Sequence, residues 1–449
     1  MELKPFVLIV LMIAAAFLMS GCSNKEKAET SKTSNDIPSN SSGEEVSGEN
    51  DVPHTGYGNE ADSKNEQTNE DNKNSENDTS DNIIQPVDPG PSKIWTEPGI
   101  MRDMTSYDIV LDMGLGWNLG NTFDSCGDWI SGGVSSYETA WGSPITTKAV
   151  FEGLKNMGFR SVRIPVAWSN MMKENYTIST LWMDRVEEVV NYALDCGLYV
   201  VLNIHWDGGW ITNFSKDYDE TMKKYTRIWE QISERFKNYP DYLIFESMNE
   251  EGHFDDIWNR YGNGKEEDKI RAYDILNGVN QKFVDIVRGS GANNEKRHLL
   301  IAGYATDIDL TVDPAFRMPE DPASRLIISV HYYTPSTFTI LEEDADWGKA
   351  QYSWGTEADY QRIKDDFEKM KVNFHDKGYP VIVGEYGATK VNKDPDSVRN
   401  YITAVAKTVY ELDMCPMLWD ANAHYNRLLG TFKDEQLLKN LQEIMVMER

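Results

Sequence analysis

From residue 93 onward, short apolar runs alternate with longer segments in which apolar and polar positions are mixed. The runs are rich in β-branched and aromatic residues, which favour strands. Seven clear strands and a weaker first one are predicted at 114–118, 162–165, 199–204, 242–245, 298–302, 326–330, 381–384 and 417–419. In the longer segments, apolar residues recur every three or four positions, as on one face of a helix. These segments predict helices at 149–157, 181–194, 221–236, 269–287, 360–374, 397–411 and 436–445.

Strands that alternate with helices form a parallel sheet, because each helix returns the chain to the same edge. About eight such units predict that the sheet closes into a barrel. We therefore expect an α/β protein, with one (β/α)8 TIM barrel at 93–449 preceded by a disordered N-terminal tether. A length of 449 residues would otherwise suggest two or three domains.

The N-terminus has the features of a bacterial lipoprotein signal at residues 1–22. An apolar run from Phe6 to Met19 is too short to span a bilayer, and it is followed by Ser20, Gly21 and Cys22. Small residues before a cysteine resemble a lipobox, which implies cleavage before Cys22 and lipidation of its sulfur. An ordinary secretory signal is the alternative. We expect an extracellular protein anchored to the bacterial cell surface as a lipoprotein.

Residues 23–92 are a predicted linker of Ser, Thr, Asn and acidic residues, with 16 acidic side chains against five lysines. Such a segment buries too little apolar surface to offset its ordering entropy, so we expect disorder. The net charge of the chain is −29, which repels phosphate backbones and anionic lipids. We therefore expect no nucleic-acid partner, membrane contact only through the lipid anchor, and a monomer.

Cysteine and histidine positions give no metal-site spacing. Beyond the signal, Cys126, Cys196 and Cys415 allow at most one disulfide, and no CxxC pair occurs. The seven histidines are scattered along the chain. We expect neither a metal nor another cofactor, and we assign the three cysteines to packing.

Polar and aromatic residues lie at or just beyond the carboxyl ends of successive predicted strands. The set comprises Asn118, Arg163, His205, Asn249, Glu250, His331, Tyr333, Glu385 and Trp419. In a closed barrel the carboxyl ends of the strands converge on the face where barrel enzymes build their sites. Each residue taken singly could be a loop residue or a helix cap, but so many around one ring favour a functional site.

Two members of this set, Glu250 and Glu385, follow buried apolar strands. A carboxylate there loses hydration, so it needs hydrogen bonds, a cation or a raised pKa. Cleavage of a glycosidic bond uses one protonated and one ionised carboxyl group, and Arg163 could hold one of them ionised. The alternative is a buried ion pair with Arg163 or a helix-capping acid.

Several motifs, in order along 105–419, resemble glycoside hydrolase family 5, in its cellulase branch. They read GWNLGNT at 116–122, ETAWG at 138–142, VRIPV at 162–166, NIH at 203–205, NE at 249–250, HYY at 331–333 and GEYG at 384–387. Any one of these motifs is weak, whereas their order and strand positions together are specific. The resemblance implies a retaining enzyme of the endoglucanase type that needs no cofactor.

The resemblance also implies roles for the strand-end residues. Glu250 would be the general acid/base and Glu385 the nucleophile. Arg163 and Tyr333 would hold Glu385 charged, and His331 would tune the proton of Glu250. The remaining members of the set would bind the sugar, with Asn249 on the 2-hydroxyl, Trp419 as a stacking platform, and contacts from His205 and Asn118.

Loop tryptophans are further candidates for substrate binding. Trp206 stands where most relatives carry a second histidine, which implies altered contacts at a neighbouring subsite. Trp129, Trp210, Trp347 and Trp354 lie in predicted loops at the same face, where an indole either stacks on a sugar or pins its loop to the barrel. Glu251 and the segment 420–424 depart from the family pattern.

We therefore expect an extracellular endo-β-1,4-glucanase that cleaves internal bonds of plant cell-wall polysaccharide by retaining double displacement. Xyloglucan, mixed-linkage β-glucan and β-mannan are alternative substrates for the same site. A cell-surface lipoprotein that only binds glycans is an alternative of a different class. A metal-dependent barrel hydrolase is a third, which no ligand spacing supports.

Overall fold

The computed structural model describes residues 95–449. Eight parallel strands close into a barrel in the order β1 to β8, which confirms the predicted (β/α)8 fold. Their bounds are β1 Gly116–Asn118, β2 Ser161–Ile164, β3 Tyr199–Asn203, β4 Leu243–Glu246, β5 Leu299–Ala302, β6 Leu326–Tyr332, β7 Val381–Tyr386 and β8 Cys415–Leu418. A short antiparallel hairpin, β9 Tyr425–Asn426 and β10 Thr431–Phe432, follows the barrel.

Helices cover the outside of the barrel. They are α1 Ser106–Met113, α2 Val134–Glu138, α3 Lys148–Asn156, α4 Thr180–Asp195, α5 Tyr218–Phe236, α6 Glu266–Gly289, α7 Ile308–Thr311, α8 Ser336–Thr339, α9 Glu357–Asn373, α10 Pro395–Glu411 and α11 Glu435–Met445. Side-chain caps start several of them; Thr356 and Asp359, for example, form a capping box at α9. None of the helices within 95–449 combines the length and the apolar character that a bilayer crossing needs.

Two apolar layers hold the barrel together. Outward-facing strand residues pack against the helices, whereas inward-facing residues such as Val201, Ile244 and Leu300 fill the barrel. Helix α1 adds Ile109 and Met113 to the inner layer and so closes the amino end of the barrel. The chain also enters at this end, since residues 99 and 100 form backbone hydrogen bonds with the segment 238–241 before β4.

The predicted elements agree with the structure apart from their ends and the short elements. β6 and β7 run two residues further than predicted, to Tyr332 and Tyr386, because polar residues at the barrel mouth interrupt the apolar pattern without ending the ladder. Helix α1 was not predicted. Cys126, Cys196 and Cys415 are all free thiols. The signal with Cys22 and the linker 23–92 lie outside the described residues, so those predictions stay predictions.

Candidate active site

The strand-end residues gather at the carboxyl face, where Arg163 is the centre of a hydrogen-bond network. Arg163 on β2 is fully buried. Its Nε donates to Glu246 Oε2 at 2.6 Å, and its Nη1 donates to Glu385 Oε1 at 2.6 Å. Nη1 and Nη2 also donate to Asn118 Oδ1 at 3.2 Å and Asn249 Oδ1 at 2.9 Å. One guanidinium thus fixes side chains on β1, β4 and β7 and one in the segment after β4, which suits its planar fork of donors.

Glu385 lies at the barrel mouth with both oxygens engaged. Oε1 accepts from Arg163, and Oε2 accepts from the Tyr333 hydroxyl at 3.0 Å. Burial raises the pKa of Glu385, while His331 and Arg163 oppose this rise. Hydrogen bonds to the charged form favour ionisation, so these donors act to keep Glu385 a carboxylate. Arg163 therefore does hold a glutamate in an ion pair, as predicted, and it holds Glu246 as well.

Glu250 has a different environment. Its side chain is 39% exposed, and Oε1 lies 2.7 Å from His331 Nδ1. Burial by the cleft raises the pKa of Glu250, which favours the protonated form. Burial also lowers the pKa of His331 to about 4, so its imidazole is neutral at neutral pH. In one tautomer the neutral Nδ1 accepts a hydrogen bond from the protonated acid, and in the other it donates a hydrogen bond to the carboxylate.

The two carboxyl groups face each other across a short gap. Single ligand atoms of Glu250, His331 and Glu385 lie within 4.8 Å of one another. Carboxyl groups about 5 to 5.5 Å apart are typical of retaining glycosidases, whereas inverting enzymes leave roughly 6.5 to 9.5 Å. Among residues 95–449 this group alone has ligands close enough for a metal. A cation there would be opposed by the positive charge of Arg163 on Glu385.

The predicted sugar contact of Asn118 is wrong. Asn118 is fully buried, and its amide nitrogen donates to the carbonyls of Gly384 and Met417 at 2.9 and 3.1 Å. Its oxygen accepts from Arg163. Both the amide nitrogen and the amide oxygen of Asn118 form hydrogen bonds inside the barrel. Asn118 therefore positions Arg163 instead of binding substrate.

Trp419 and His205 form a stacked pair at the mouth. Their rings are 5.6 Å apart with an angle of 8° between planes, and Trp419 is half-buried. Burial lowers the pKa of His205 well below its usual value, so this ring is uncharged. Gly120 supports the indole from below, because a Cβ at residue 120 would lie 2.8 Å from Trp419 Cζ2.

Substitution of Gly120 by Ala is expected to displace the Trp419 indole, because real Cβ atoms do not approach that closely. We expect kcat/KM on oligosaccharides to fall roughly tenfold, equivalent to about 1.4 kcal/mol, mainly through KM. Steady-state kinetics and the melting temperature check this. Gly387→Ala is the matched control, since its Cβ would meet Trp419 at an ordinary 3.5 Å. Equal kinetics for the two variants would contradict the prediction.

The outer tryptophans fall into two groups. Trp129, Trp206 and Trp347 are 59%, 40% and 38% exposed, and they stay candidates for stacking. Trp354 is only 7% exposed and packs edge-on against the rings of Tyr360 and Tyr401, so its predicted sugar contact is wrong.

Trp210 is half-buried, and two neighbouring side chains contact its indole. Its Nε1 donates to Asp207 Oδ2 at 2.7 Å, and the Lys224 ammonium lies 4.3 Å from the ring centroid. Both contacts are the kind that pin an indole in place. Trp210 thus fixes the loop after β3, the alternative recognised for these tryptophans.

Several buried ionisable groups at the site were not predicted. Asp420 accepts from Trp117 Nε1, and Arg427 donates to the carbonyls of Gly120 and Asp420 at 2.8 and 2.6 Å, so the two brace the segments beside Trp419. Burial, with the charges of Glu250 and Asp207, raises the pKa of Glu251 to about 8. In the sequence, the departures from the family pattern at Glu251 and 420–424 were the signal that could have indicated these groups.

Comparison with known proteins agrees with this geometry. The family described as cellulase (glycosyl hydrolase family 5) matches residues 123–425. The chain is 38% identical over 339 residues to a xyloglucan-specific endo-β-1,4-glucanase of Bacteroides ovatus, a match that covers 72% of this chain and 66% of that protein.

Solved structures share the barrel at similar identity. A GH5-4 broad-specificity endoglucanase from an uncultured bovine rumen ciliate gives a TM-score of 0.68 at 37% identity, over 76% of this chain and 98% of the other. A Bacteroides ovatus GH5 xyloglucanase in complex with a XXXG heptasaccharide also gives 0.68, at 32% identity over 80% of each chain. Matched by the family across most of its barrel, this chain belongs to glycoside hydrolase family 5 and is a retaining glycoside hydrolase.

Proposed function

We propose that the protein is an endo-β-1,4-glucanase in which Glu385 is the nucleophile and Glu250 the general acid/base. The observation that carries these assignments is the contrast between the two carboxyl groups, which lie within 4.8 Å of each other. Glu385 accepts from a guanidinium and a phenol, whereas Glu250 contacts only a neutral imidazole among the hydrogen-bond partners described. Environments that favour opposite protonation states suit opposite roles.

In the first step, the Glu385 carboxylate attacks C1 of the sugar. The bond from C1 to the glycosidic oxygen breaks, and the proton of Glu250 passes to that oxygen, which leaves as a free hydroxyl. Asn249, whose Oδ1 is held by Arg163 at 2.9 Å, presents its amide N–H to the 2-hydroxyl. His331 then donates to the newly ionised Glu250.

In the second step, the Glu250 carboxylate removes a proton from water, and the water oxygen attacks C1. The bond to Glu385 breaks, the carboxylate returns to Arg163 and Tyr333, and Glu250 regains its proton. Two inversions at C1 give net retention. Trp419 supplies the platform for the sugar ring, because the apolar face of a pyranose stacks on an indole.

The substrate we propose is a β-1,4-linked glucan of the plant cell wall. Relatives named as endoglucanase and xyloglucanase support a β-1,4-glucan backbone. Xyloglucan is the second candidate, because one of the curated relatives is named as specific for it. Trp129, Trp206 and Trp347 would bind further sugars along the chain.

We also propose that the enzyme acts outside the cell and is attached through a lipid on Cys22. This rests on the apolar run and the small residues before Cys22. Metabolic labelling with a fatty acid, compared between the natural protein and Cys22→Ala, tests it. Labelling of both proteins, or of neither, would contradict lipidation at this residue.

Product analysis tests the proposed reaction. Cello-oligosaccharides, xyloglucan, mixed-linkage glucan and mannan are incubated side by side, and products are followed by size and by NMR of the new anomeric centre. We expect internal cuts in β-1,4-glucans, β-configured initial products, and no loss of activity with a chelator. α-Configured products would contradict the double displacement, and products from none of the polymers would favour a protein that only binds glycans.

A further inference from the structure

The loops that follow β6 and β7 are tied together by a buried lysine. The Lys393 ammonium group donates to the carbonyls of Leu341 at 2.5 Å, Gln351 at 2.7 Å and Thr337 at 3.4 Å, all of which lie in the loop after β6. We propose that Lys393 is a positioning residue that holds the Tyr333 hydroxyl on Glu385. An ammonium has three donors, and here each of them has a carbonyl acceptor.

Along the chain, Lys393 follows the end of β7 by seven residues, so its three acceptors all belong to the other loop. Lys393 is only 5% exposed, and burial lowers the pKa of its ammonium, while the charge of Glu342 opposes this shift. Its Nζ also lies 5.6 Å from the centre of the Phe338 ring. Burial of a charge costs free energy unless hydrogen bonds replace its hydration. Here the carbonyls of the loop after β6 accept the hydrogen bonds of the buried ammonium.

Two further residues of the loop after β7 add to this connection, which we call the loop clamp. It comprises Thr389, Asn392 and Lys393 on one side and residues 337–342 with Gln351 on the other. The backbone N–H of Thr389 donates to Thr339 O at 2.8 Å, and its hydroxyl donates to Glu342 Oε1 at 2.9 Å. Asn392 Nδ2 donates to Glu342 O at 3.0 Å. The clamp therefore fixes backbone and side chain of the loop after β6 together.

The clamp continues to Tyr333 through one residue. The Thr339 hydroxyl donates to Tyr333 O at 2.5 Å and to Pro335 O at 3.2 Å, so the clamped turn holds the backbone that carries the phenol. The Tyr333 hydroxyl in turn donates to Glu385 Oε2 at 3.0 Å. Glu385 lies on β7, and the loop after β7 carries Lys393. The same strand and its loop therefore position both the carboxylate and, through the clamp, the Tyr333 hydroxyl that donates to it.

This inference rests on the proposed role of Glu385 as the nucleophile. The charged and titratable groups that face Glu385 are Arg163 from β2, His331 from β6, Glu250 after β4, and Tyr333 itself. A hydrogen bond from Tyr333 favours the ionised carboxylate, so its loss raises the pKa of Glu385. Activity requires that carboxylate, and the acidic limb of the kcat/KM profile then moves to higher pH.

The test compares Lys393→Met, Thr339→Val and Tyr333→Phe with the natural enzyme on an aryl cellobioside across pH. We expect each variant to lower kcat/KM by about tenfold, the size of one hydrogen bond to a charged group, and to shift the acidic limb upward. Lys390→Met is the matched control, because Lys390 is exposed on the same loop and its one hydrogen bond within 95–449 is a long one, to Ala423 O at 3.4 Å. We expect it to leave the profile unchanged.

Double variants separate positioning from a merely structural role. If Lys393 acts through Tyr333, Lys393→Met has little further effect in a Tyr333→Phe background. An acidic limb that moves in Tyr333→Phe but not in a folded Lys393→Met, or losses that multiply in the double variant, would overturn the proposal. If Lys393→Met fails to fold, the same criteria apply to Thr339→Val. A natural enzyme without hydrolytic activity, or an active Glu385→Gln, would instead contradict the proposed function.

Discussion

Replacement of Glu385 by Gln is expected to lower kcat on β-1,4-glucan by roughly 10⁴-fold or more, the scale seen when a nucleophile is removed. The amide has nearly the same shape as the carboxylate, but it cannot form the glycosyl ester. It also cannot accept from both donors as the carboxylate does, because its NH₂ group would face either Arg163 or Tyr333. Reducing-end release and calorimetric titration with cello-oligosaccharides measure the loss of turnover and the binding that remains.

The matched control is Glu343→Gln, which makes the same chemical change on an exposed side chain in the loop after β6. We expect it to keep the activity of the natural enzyme. Glu385→Gln should still bind oligosaccharide, since the stacked pair of Trp419 and His205 is unaltered. Turnover by Glu385→Gln close to that of the control would contradict the assignment of the nucleophile.

Glu250→Ala is expected to separate substrates by their leaving groups. On polysaccharide, where the departing oxygen needs a proton, kcat/KM should fall about 10²-fold to 10⁴-fold, the usual contribution of a general acid. On a dinitrophenyl cellobioside, whose leaving group needs no proton, kcat/KM should change far less. The second step loses its base on either substrate, so the glycosyl-enzyme should accumulate and appear as a burst of dinitrophenol.

Stopped-flow absorbance and intact-protein mass spectrometry follow that burst and the covalent intermediate. Glu251→Gln provides a control at the neighbouring residue, which is also buried and whose carboxyl group has a pKa raised to about 8 by burial and by nearby charges. It should show no dependence on the leaving group. Equal losses on both substrates in Glu250→Ala would indicate a structural role for Glu250.

The barrel could be predicted because strand and helix periodicities differ and alternate along the chain. The prediction failed at the mouth of the barrel, where strand residues no longer follow the apolar pattern. His331 and Glu385 are partners in the ladder between β6 and β7. Their side chains are polar because they contact other residues of the site and not the apolar core. Strand ends that carry site residues therefore look like loops in the sequence.

The network around Arg163 could be predicted only in part. An arginine and two glutamates at strand ends indicated an ion pair. The second partner, Glu246, could not be predicted, because it depends on which side chains of β2 and β4 point into the barrel at the same level. Asn118 shows the same limit. A polar residue at a strand end gave no signal that its amide donates to barrel carbonyls instead of facing the cleft.

The loop tryptophans could not be sorted from sequence, because their exposure depends on contacts with the helices that pack against their loops. Trp354 is covered by Tyr401 of α10, and Trp210 is held by Lys224 of α5. Neither contact leaves a local pattern. Trp129, Trp206 and Trp347 have the same type of sequence environment, and yet they keep a large exposed fraction.

The described chain enters the barrel at its amino end, beside the segment 238–241, whereas the carboxylate pair lies at the opposite end. A tether that precedes residue 95 therefore joins the barrel at the end opposite the catalytic mouth, so the point of attachment does not itself cover the glutamates.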